Sequence, residues 1–552
     1  MDWKGEQRAA MTDPRRPRDD LDVRVTGGSV RGAADRGMLA WRGIPYAAAP
    51  VAALRFAAPA PVVSWSGIRP AVAFGAVAPQ THPNPLVRAT STISAAAEDC
   101  LTVNVSAPPT SSSSTSSALP VMVFIHGGGY SSGSSQDFAG QGESFVRTGR
   151  IVYVSFNYRL GALGYLDFTR YATEEHAFVS NLGLRDQVAA LRWVRDNIAS
   201  FGGDPANVTV FGESAGGNAV TTLLATPAAS GLFARAIAQS PPPNAVYPPS
   251  LTARWAGDYV EILRGIVSGA AEPDAGGATA ADRAARAAGD VAHVIPPSPQ
   301  LLLAGASTID LVAACAVLQA RTPDSDPGAF CLAPVVDGDF LPRHPMRAFR
   351  DGRAHRVPLI IGTNDREGSI FRGRIDILPR TPDRIEALFA RAPAPARASM
   401  HRAYPGLPAR RPAADFGGDF GFWYPSTRVA DFHSRHAPVW SYRFDLATRL
   451  LKVLGLDATH GVEMFALFDS TDRPLARLMT AFGGSRAYVA AGKRMREPWL
   501  RFAEGLTPTA TWPRYDERMR QTLVIDQEDR IEEDPRRERR RAWNRFLPWL
   551  AG

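Results

Sequence analysis

Val208-Thr-Val-Phe-Gly212-Glu-Ser214-Ala-Gly216-Gly decides how the rest of this chain is read. Four β-prone residues run straight into Gly-x-Ser-x-Gly. A helix-compatible stretch from Asn218 to Thr226 follows, and Pro227 closes it. A serine held at a sharp strand-to-helix turn projects its Oγ clear of the backbone. Gly212 and Gly216 keep the flanks small enough for that turn to close. In a glycine-rich chain the motif carries little weight alone. Its weight comes from the strand before it, the helix after it and partners elsewhere.

Working outward, Glu98 to Val105 reads as a strand, and Ser106 to Ala118 as a serine-rich surface loop. Leu119 to Ile125 is a continuous apolar strand ending in His126-Gly127-Gly128-Gly129, and Ile151 to Tyr158 is another. Leu184, Val188, Leu191, Val194 and Ile198 share one face of a helix that runs to about Phe201, where Gly202-Gly203 stops it. Phe233 to Ser240, Val357 to Ile361, Val439 to Phe444 and Thr522 to Ile525 supply further strands. Val23 to Arg31 reads as a hairpin turning at Gly27-Gly28, and Arg42 to Phe56 as irregular backbone packed on the core. Residues 1 to 21 read as a flexible N-terminal arm, and 266 to 299 as a mobile insertion holding a short helix. Strands alternating with helices predict an α/β fold with a mainly parallel sheet covered on both faces. Ligand sites of such sheets lie at the carboxyl ends of the strands, where Ser214 and His126 to Gly129 both fall.

Composition sets bounds. The 552 residues are 45% hydrophobic and 21% charged, as in ordinary globular proteins. Cys100, Cys315 and Cys331 are too few for a disulfide framework and read as buried small hydrophobes. No apolar run reaches spanning length, and the charged N-terminus lacks a signal-type apolar region, so a cytoplasmic protein is expected. The net charge of +8 is partly clustered at Arg15-Arg16 and Arg536 to Arg541. Such clusters suit a polyanion or a membrane surface. Interleaved Glu532, Glu533, Asp534 and Glu538, and the lack of any nucleic-acid motif, favour plain solvated arginine instead. Neither a nucleic-acid nor a membrane partner is expected.

A serine hydroxyl needs an adjacent base, and the base needs an orienting carboxylate. Downstream of Ser214 the base candidates are His293, His344, His355, His401, His433, His436 and His460. The acid candidates are Asp337, Asp339, Asp365 and Glu367, any of which also suits an ordinary turn. Residue chemistry alone does not choose among them. The glycines after His126 are sharper. They allow several backbone N–H groups to converge on a developing oxyanion, joined by the N–H of Ala215. A flexible loop is the plain alternative, and a phosphate cradle lacks its Lys-Ser/Thr.

Many motifs in one order carry a resemblance. Gly43-Ile-Pro-Tyr-Ala47, Glu98-Asp-Cys-Leu101, His126 to Gly129, Asn157-Tyr-Arg-Leu160, Asn181 to Gln187, Phe211 to Gly217, Gly362 to Gly368 and His460-Gly-Val-Glu463 are among them. From about Val23 to Phe546 the chain resembles the type-B carboxylesterases, the cholinesterase-like branch of the α/β-hydrolases. The resemblance implies an α/β-hydrolase fold, with a large mixed, mostly parallel sheet, as one domain with insertions over residues 22–552. It implies Ser214 as nucleophile, Glu367 as acid, His460 as base, and Gly128, Gly129 and Ala215 as oxyanion donors. Glu213 matches an acid that shapes the pocket field. Asp204 and Ser240 match positions that support the triad, though turn and packing roles fit them equally. Arg55 and Glu98 match a structural ion pair.

The implied activity is hydrolysis of a small-molecule carboxylic ester through an acyl-enzyme, with no metal or organic cofactor. Amide, carbamate or thioester hydrolysis uses the same groups, and a non-catalytic binding module uses the same scaffold. Departures from the family bear on substrate and compartment. Ala78 stands where secreted members pair Cys100, which leaves that thiol free. No tryptophan lies between Ala78 and Cys100 to hold a quaternary ammonium, so choline esters are not expected. Pro241-Pro-Pro243 replaces the family's usual glycine after Ser240. Phe420, Phe422, Trp423 and Tyr424 are candidate pocket aromatics that equally suit a core.

Overall fold

The computed structural model describes residues 21–81, 94–109, 118–137, 142–269, 297–372 and 376–547. A small sheet is built from β1 (Asp22–Val25), β2 (Gly28–Arg31) and β5 (Ile68–Pro70). The large sheet takes β3 (Ala33–Asp35), β4 (Met38–Pro45), β6 (Thr102–Ala107), β7 (Leu119–Ile125) and β8 (Val152–Phe156). It continues with β9 (Gly203–Glu213), β10 (Arg235–Gln239), β11 (Leu359–Asn364), β12 (Val439–Phe444), β13 (Gln521–Ile525) and β14 (Arg530–Glu533). Their spatial order is β14-β13-β12-β11-β10-β9-β7-β8-β6-β4-β3. Every pairing from β8 across to β13 is parallel, and the strands beyond run antiparallel.

The apolar runs explain this centre. Side chains of a strand alternate between faces, so a sheet covered on both sides needs apolar residues at every position. On β7, Val121, Val123 and Ile125 enter one core, while Met122 and Phe124 enter the other. β9 divides likewise, with Val208 and Val210 on one side and Phe211 opposite. The fold is the α/β-hydrolase fold.

Several boundaries differ from the sequence reading. Backbone expected to be irregular around Arg42 is β4, paired with β6 and broken in register between Trp41 and Ile44. There Gly43 N–H leaves the ladder and donates to Asn104 Oδ1 (2.9 Å). β6 begins at Thr102 rather than Glu98, because Glu98 turns aside to take both ends of the Arg55 guanidinium (2.9 and 2.8 Å). Ser106 and Ala107 belong to β6, not to the loop. The β1–β2 hairpin turns at Thr26-Gly27, one residue early. The helix after Ser214 spans Ala215–Leu223, starting at once rather than at Asn218. Residues 1–20, most of the serine-rich loop and most of the 266–299 insertion lie outside the described residues. The arginines of 536–541 are largely held internally: Arg536 and Arg539 by Asp419, and Arg540 by Asp534.

One buried ion pair locks the Leu182–Asn197 helix to the backbone after β8. Arg159 (2% exposed) meets Asp186 (0%) through Nη2 at 2.7 Å and Nε at 2.8 Å, and also donates to Ala57 O. Removing one partner strands a buried charge, which costs about 3–5 kcal/mol. Asp186→Ala is therefore expected to lower the urea midpoint of unfolding by that equivalent. A change within the scatter of surface variants contradicts this account.

Candidate active site

Four neighbouring parallel strands each deliver one polar group at the carboxyl edge of the sheet. Ser214 follows β9, Ser240 follows β10, Glu367 lies just beyond β11, and His460 lies on the chain after β12. Their order across the sheet is therefore set by strand order, and strands stand about 4.8 Å apart.

Ser214 holds φ 59° and ψ −122°, a conformation L-residues avoid. Its N–H donates to Gln239 O (2.9 Å), and its carbonyl accepts from Asn218 N–H (2.8 Å). A Cβ on Gly216 would sit 2.0 Å from Ile125 O, and one on Gly212 would sit 2.6 Å from it. The elbow closes only because both are absent.

Ser214 Oγ lies 2.8 Å from His460 Nε2, and His460 Nδ1 lies 2.6 Å from Glu367 Oε2. The other oxygen of Glu367 accepts from Ser240 Oγ and from Asn364 N–H, both at 2.6 Å. Both oxygens are thus engaged, and the carboxylate cannot turn away from the imidazole. Glu213 Oε1 approaches His460 Nε2 from another side at 3.2 Å. Glu463 Oε2 accepts from Asn364 Nδ2 (2.5 Å) and completes a buried acidic group around one imidazole.

The loop after β7 passes directly over the elbow. An ideal Cβ on Gly127 would lie 3.2 Å from Ser214 Cβ. Gly128 and Gly129 follow with φ 102° and 62°. Among the described residues, the N–H groups of Gly128, Gly129 and Ala215 have no backbone acceptor. Two tyrosines hold this loop. Tyr158 stacks on His126 (4.4 Å) and donates to its carbonyl. Tyr130 donates to Asn218 Oδ1 (2.6 Å) on the helix after the serine. Burial pushes His126 down to about 4, so it serves the loop as a neutral ring.

Charge and burial oppose each other here. Burial alone would make His460 less basic. The carboxylates of Glu213 and Glu367 outweigh it and hold the imidazole up at about 9. Burial pushes Glu213 up to about 7 against the pull of the His460 cation. Burial, with Glu213 and Glu367 nearby, pushes Glu463 up to about 8.

Phe422 (4.5 Å) and Phe371 (5.3 Å) face the His460 ring and stack on each other at 5.6 Å. Of the four candidate aromatics only Phe422 touches the triad. Phe420 and Tyr424 pack on Trp543, and Trp423 lies beneath Arg536. The sequence reading missed Phe371, four residues past Glu367, and gave Glu463 no role. Asp204 only caps a turn, accepting from Ala206 N–H (2.9 Å), at the end of β9 remote from the serine.

Among the other described histidines, His344 caps a helix, while His355 and His433 bond backbone carbonyls. Asp337 accepts from two N–H groups of its own turn and from the Ser180 and Asn181 side chains. Asp365, two residues before Glu367, is bound by Arg536 Nη2 (2.5 Å). Among the described residues no group of three or more His, Cys, Asp or Glu is arranged to hold a metal ion.

A serine, an imidazole and a carboxylate in this sequence, on this sheet, define an α/β-hydrolase of the serine type. The comparisons with known proteins narrow the class. The pattern described as the carboxylesterase family matches residues 19–258 and 267–392. Para-nitrobenzyl esterase of Bacillus subtilis is 34% identical over 517 residues, covering 93% of this chain and 96% of its own. Phenmedipham hydrolase of Pseudarthrobacter oxydans is 31% identical over 532 residues, covering 91% and 94%. A solved PNB esterase structure superposes with a TM-score of 0.77 at 32% identity, covering 95% and 99%. A carboxylesterase structure from Geobacillus stearothermophilus gives 0.75 at 30%, covering 95% and 100%. This chain belongs to the carboxylesterase family and is a serine hydrolase of carboxylic esters.

The field around His460 makes a signed prediction. Glu213→Gln removes a negative charge that favours the imidazolium, so the imidazole becomes less basic. The acid limb of kcat/KM is expected to move down by about one pH unit. A limb that stays or moves up contradicts the assigned field.

Proposed function

We propose that Ser214 is the nucleophile, His460 its base and Glu367 the group that orients the base. One observation carries this: an unbroken path of 2.8 and 2.6 Å runs from Ser214 Oγ through the imidazole to Glu367. His460 Nε2 takes the Oγ proton as Oγ attacks the ester carbonyl carbon. The carbonyl oxygen becomes an oxyanion held by the N–H groups of Gly128, Gly129 and Ala215. The C–O bond to the alcohol breaks, and His460 hands the leaving oxygen the proton. Water, deprotonated by the same nitrogen, then attacks the acyl-enzyme, and the acid departs as Ser214 regains its proton.

Ser240 and Asn364 act through Glu367, keeping it aimed at Nδ1. Glu213 sets how readily the imidazole holds a proton. The Phe371–Phe422 pair beside His460 supports esters with an apolar group on that side. Three buried free thiols support a cytoplasmic setting.

Ser214→Ala is expected to lower p-nitrophenyl acetate turnover by about 10⁴-fold or more and to abolish labelling by a fluorophosphonate. Turnover or labelling that survives the substitution overturns the assignment.

A further inference from the structure

The wall that carries His460 continues outward into a face the chemistry does not use. After β12 the chain forms the short helix Arg449–Val453, and after the Val462–Leu467 helix it forms another, Pro474–Met479. Thr448, the N-cap of the first, donates to Met479 O at the end of the second (2.7 Å). The inner residues Leu451, Ala476 and Met479 belong to the core beneath β12. The outer ones do not. Val453 is 84% exposed, Leu454 52%, Leu478 55% and Phe482 66%. A five-residue helix is only about 7 Å long, so these side chains share one neighbourhood. Single exposed apolar residues are ordinary, but a cluster with a largely bare aromatic is not.

Basic residues surround the cluster. Arg449, Lys452, Arg473, Arg477 and Arg486 are all exposed, and none is in an ion pair among the described residues. Of the acids on the same stretch, Asp457 is taken by Arg366 and Arg411 and Glu463 is buried beside Asn364, which leaves Asp469 and Asp472. The face also reaches the pocket rim. Arg372 donates to Ser369 O and extends Nη2 to Gly455 O, one residue past Leu454. Its neighbour Phe371 lies against His460.

We propose that this face docks peripherally on an anionic lipid surface. Val453, Leu454, Leu478 and Phe482 enter the headgroup boundary, and the five basic side chains meet anionic headgroups. Apolar and cationic groups together complement that surface. A second copy of the same face would instead bring like charges together. Among the described residues no single helix is long and apolar enough to cross a membrane. Docking turns the rim at Phe371 toward amphiphilic esters dissolved in the layer.

The test is co-sedimentation of the full chain with phosphatidylcholine vesicles, with and without about 30% phosphatidylglycerol, at about 0.1 M and about 0.5 M salt. Binding is expected only to the anionic vesicles and is expected to weaken at high salt. The paired variants K452E/R477E and V453S/F482S are each expected to lose about tenfold or more in binding, with p-nitrophenyl acetate turnover in solution unchanged. K452R/R477K is expected to keep it. Absence of binding, equal binding to both vesicles, or binding that both variants leave intact overturns the proposal. Self-association abolished by the same variants, without vesicle binding, assigns the face to a second copy instead.

Discussion

The left-handed backbone at Ser214 is the constraint on which the remainder rests. A residue forced to φ 59° stays there only while its surroundings leave no alternative. Those surroundings are extensive. Ile125 O presses on the two glycines, Gln239 O takes the serine N–H, and the following helix begins without a linking residue. Each comes from a different strand of the parallel centre, so the conformation of one residue is underwritten by the register of three strands. The same packing brings the glycine loop over the elbow, where Tyr130 ties it to Asn218.

A second tension lies in the acids around the imidazole. Burying a carboxylate is costly, and burying several is more so. The site meets this by unequal treatment. Glu367 has both oxygens bonded to fixed partners. Glu213 and Glu463 are each left with a buried oxygen that lacks a hydrogen bond, and both hold protons more tightly than free acids do. One acid is fixed in place by its hydrogen bonds, while the other two shape the field around the imidazole. Glu213 and Glu367 together favour the protonated imidazole, the form that hands a proton to the leaving alcohol.

How much could be read beforehand follows from the range of each interaction. The elbow, the buried strands and the glycine loop are local patterns, and they stand where the residues placed them. The base and the acid are not local. His460 is 246 residues from Ser214 and 93 from Glu367, and neither has a neighbourhood that marks it among seven histidines and four acids. Only the resemblance to a family singled them out. Phe371 and Asn364 were invisible for the same reason. β14 was missed because Arg530-Ile-Glu-Glu533 is short and charged, as an exposed edge strand needs to be. β4 was missed because its register break scrambles the alternation.

Arg536 grips Asp365, two residues from Glu367, so the acid's loop is fastened by a residue translated long after the serine and the histidine. A nascent polypeptide on the ribosome therefore carries its nucleophile and base well before the turn between them is secured. The contact spans 171 residues of chain, so the turn that carries the acid is tied to a helix from the far end of the described sequence.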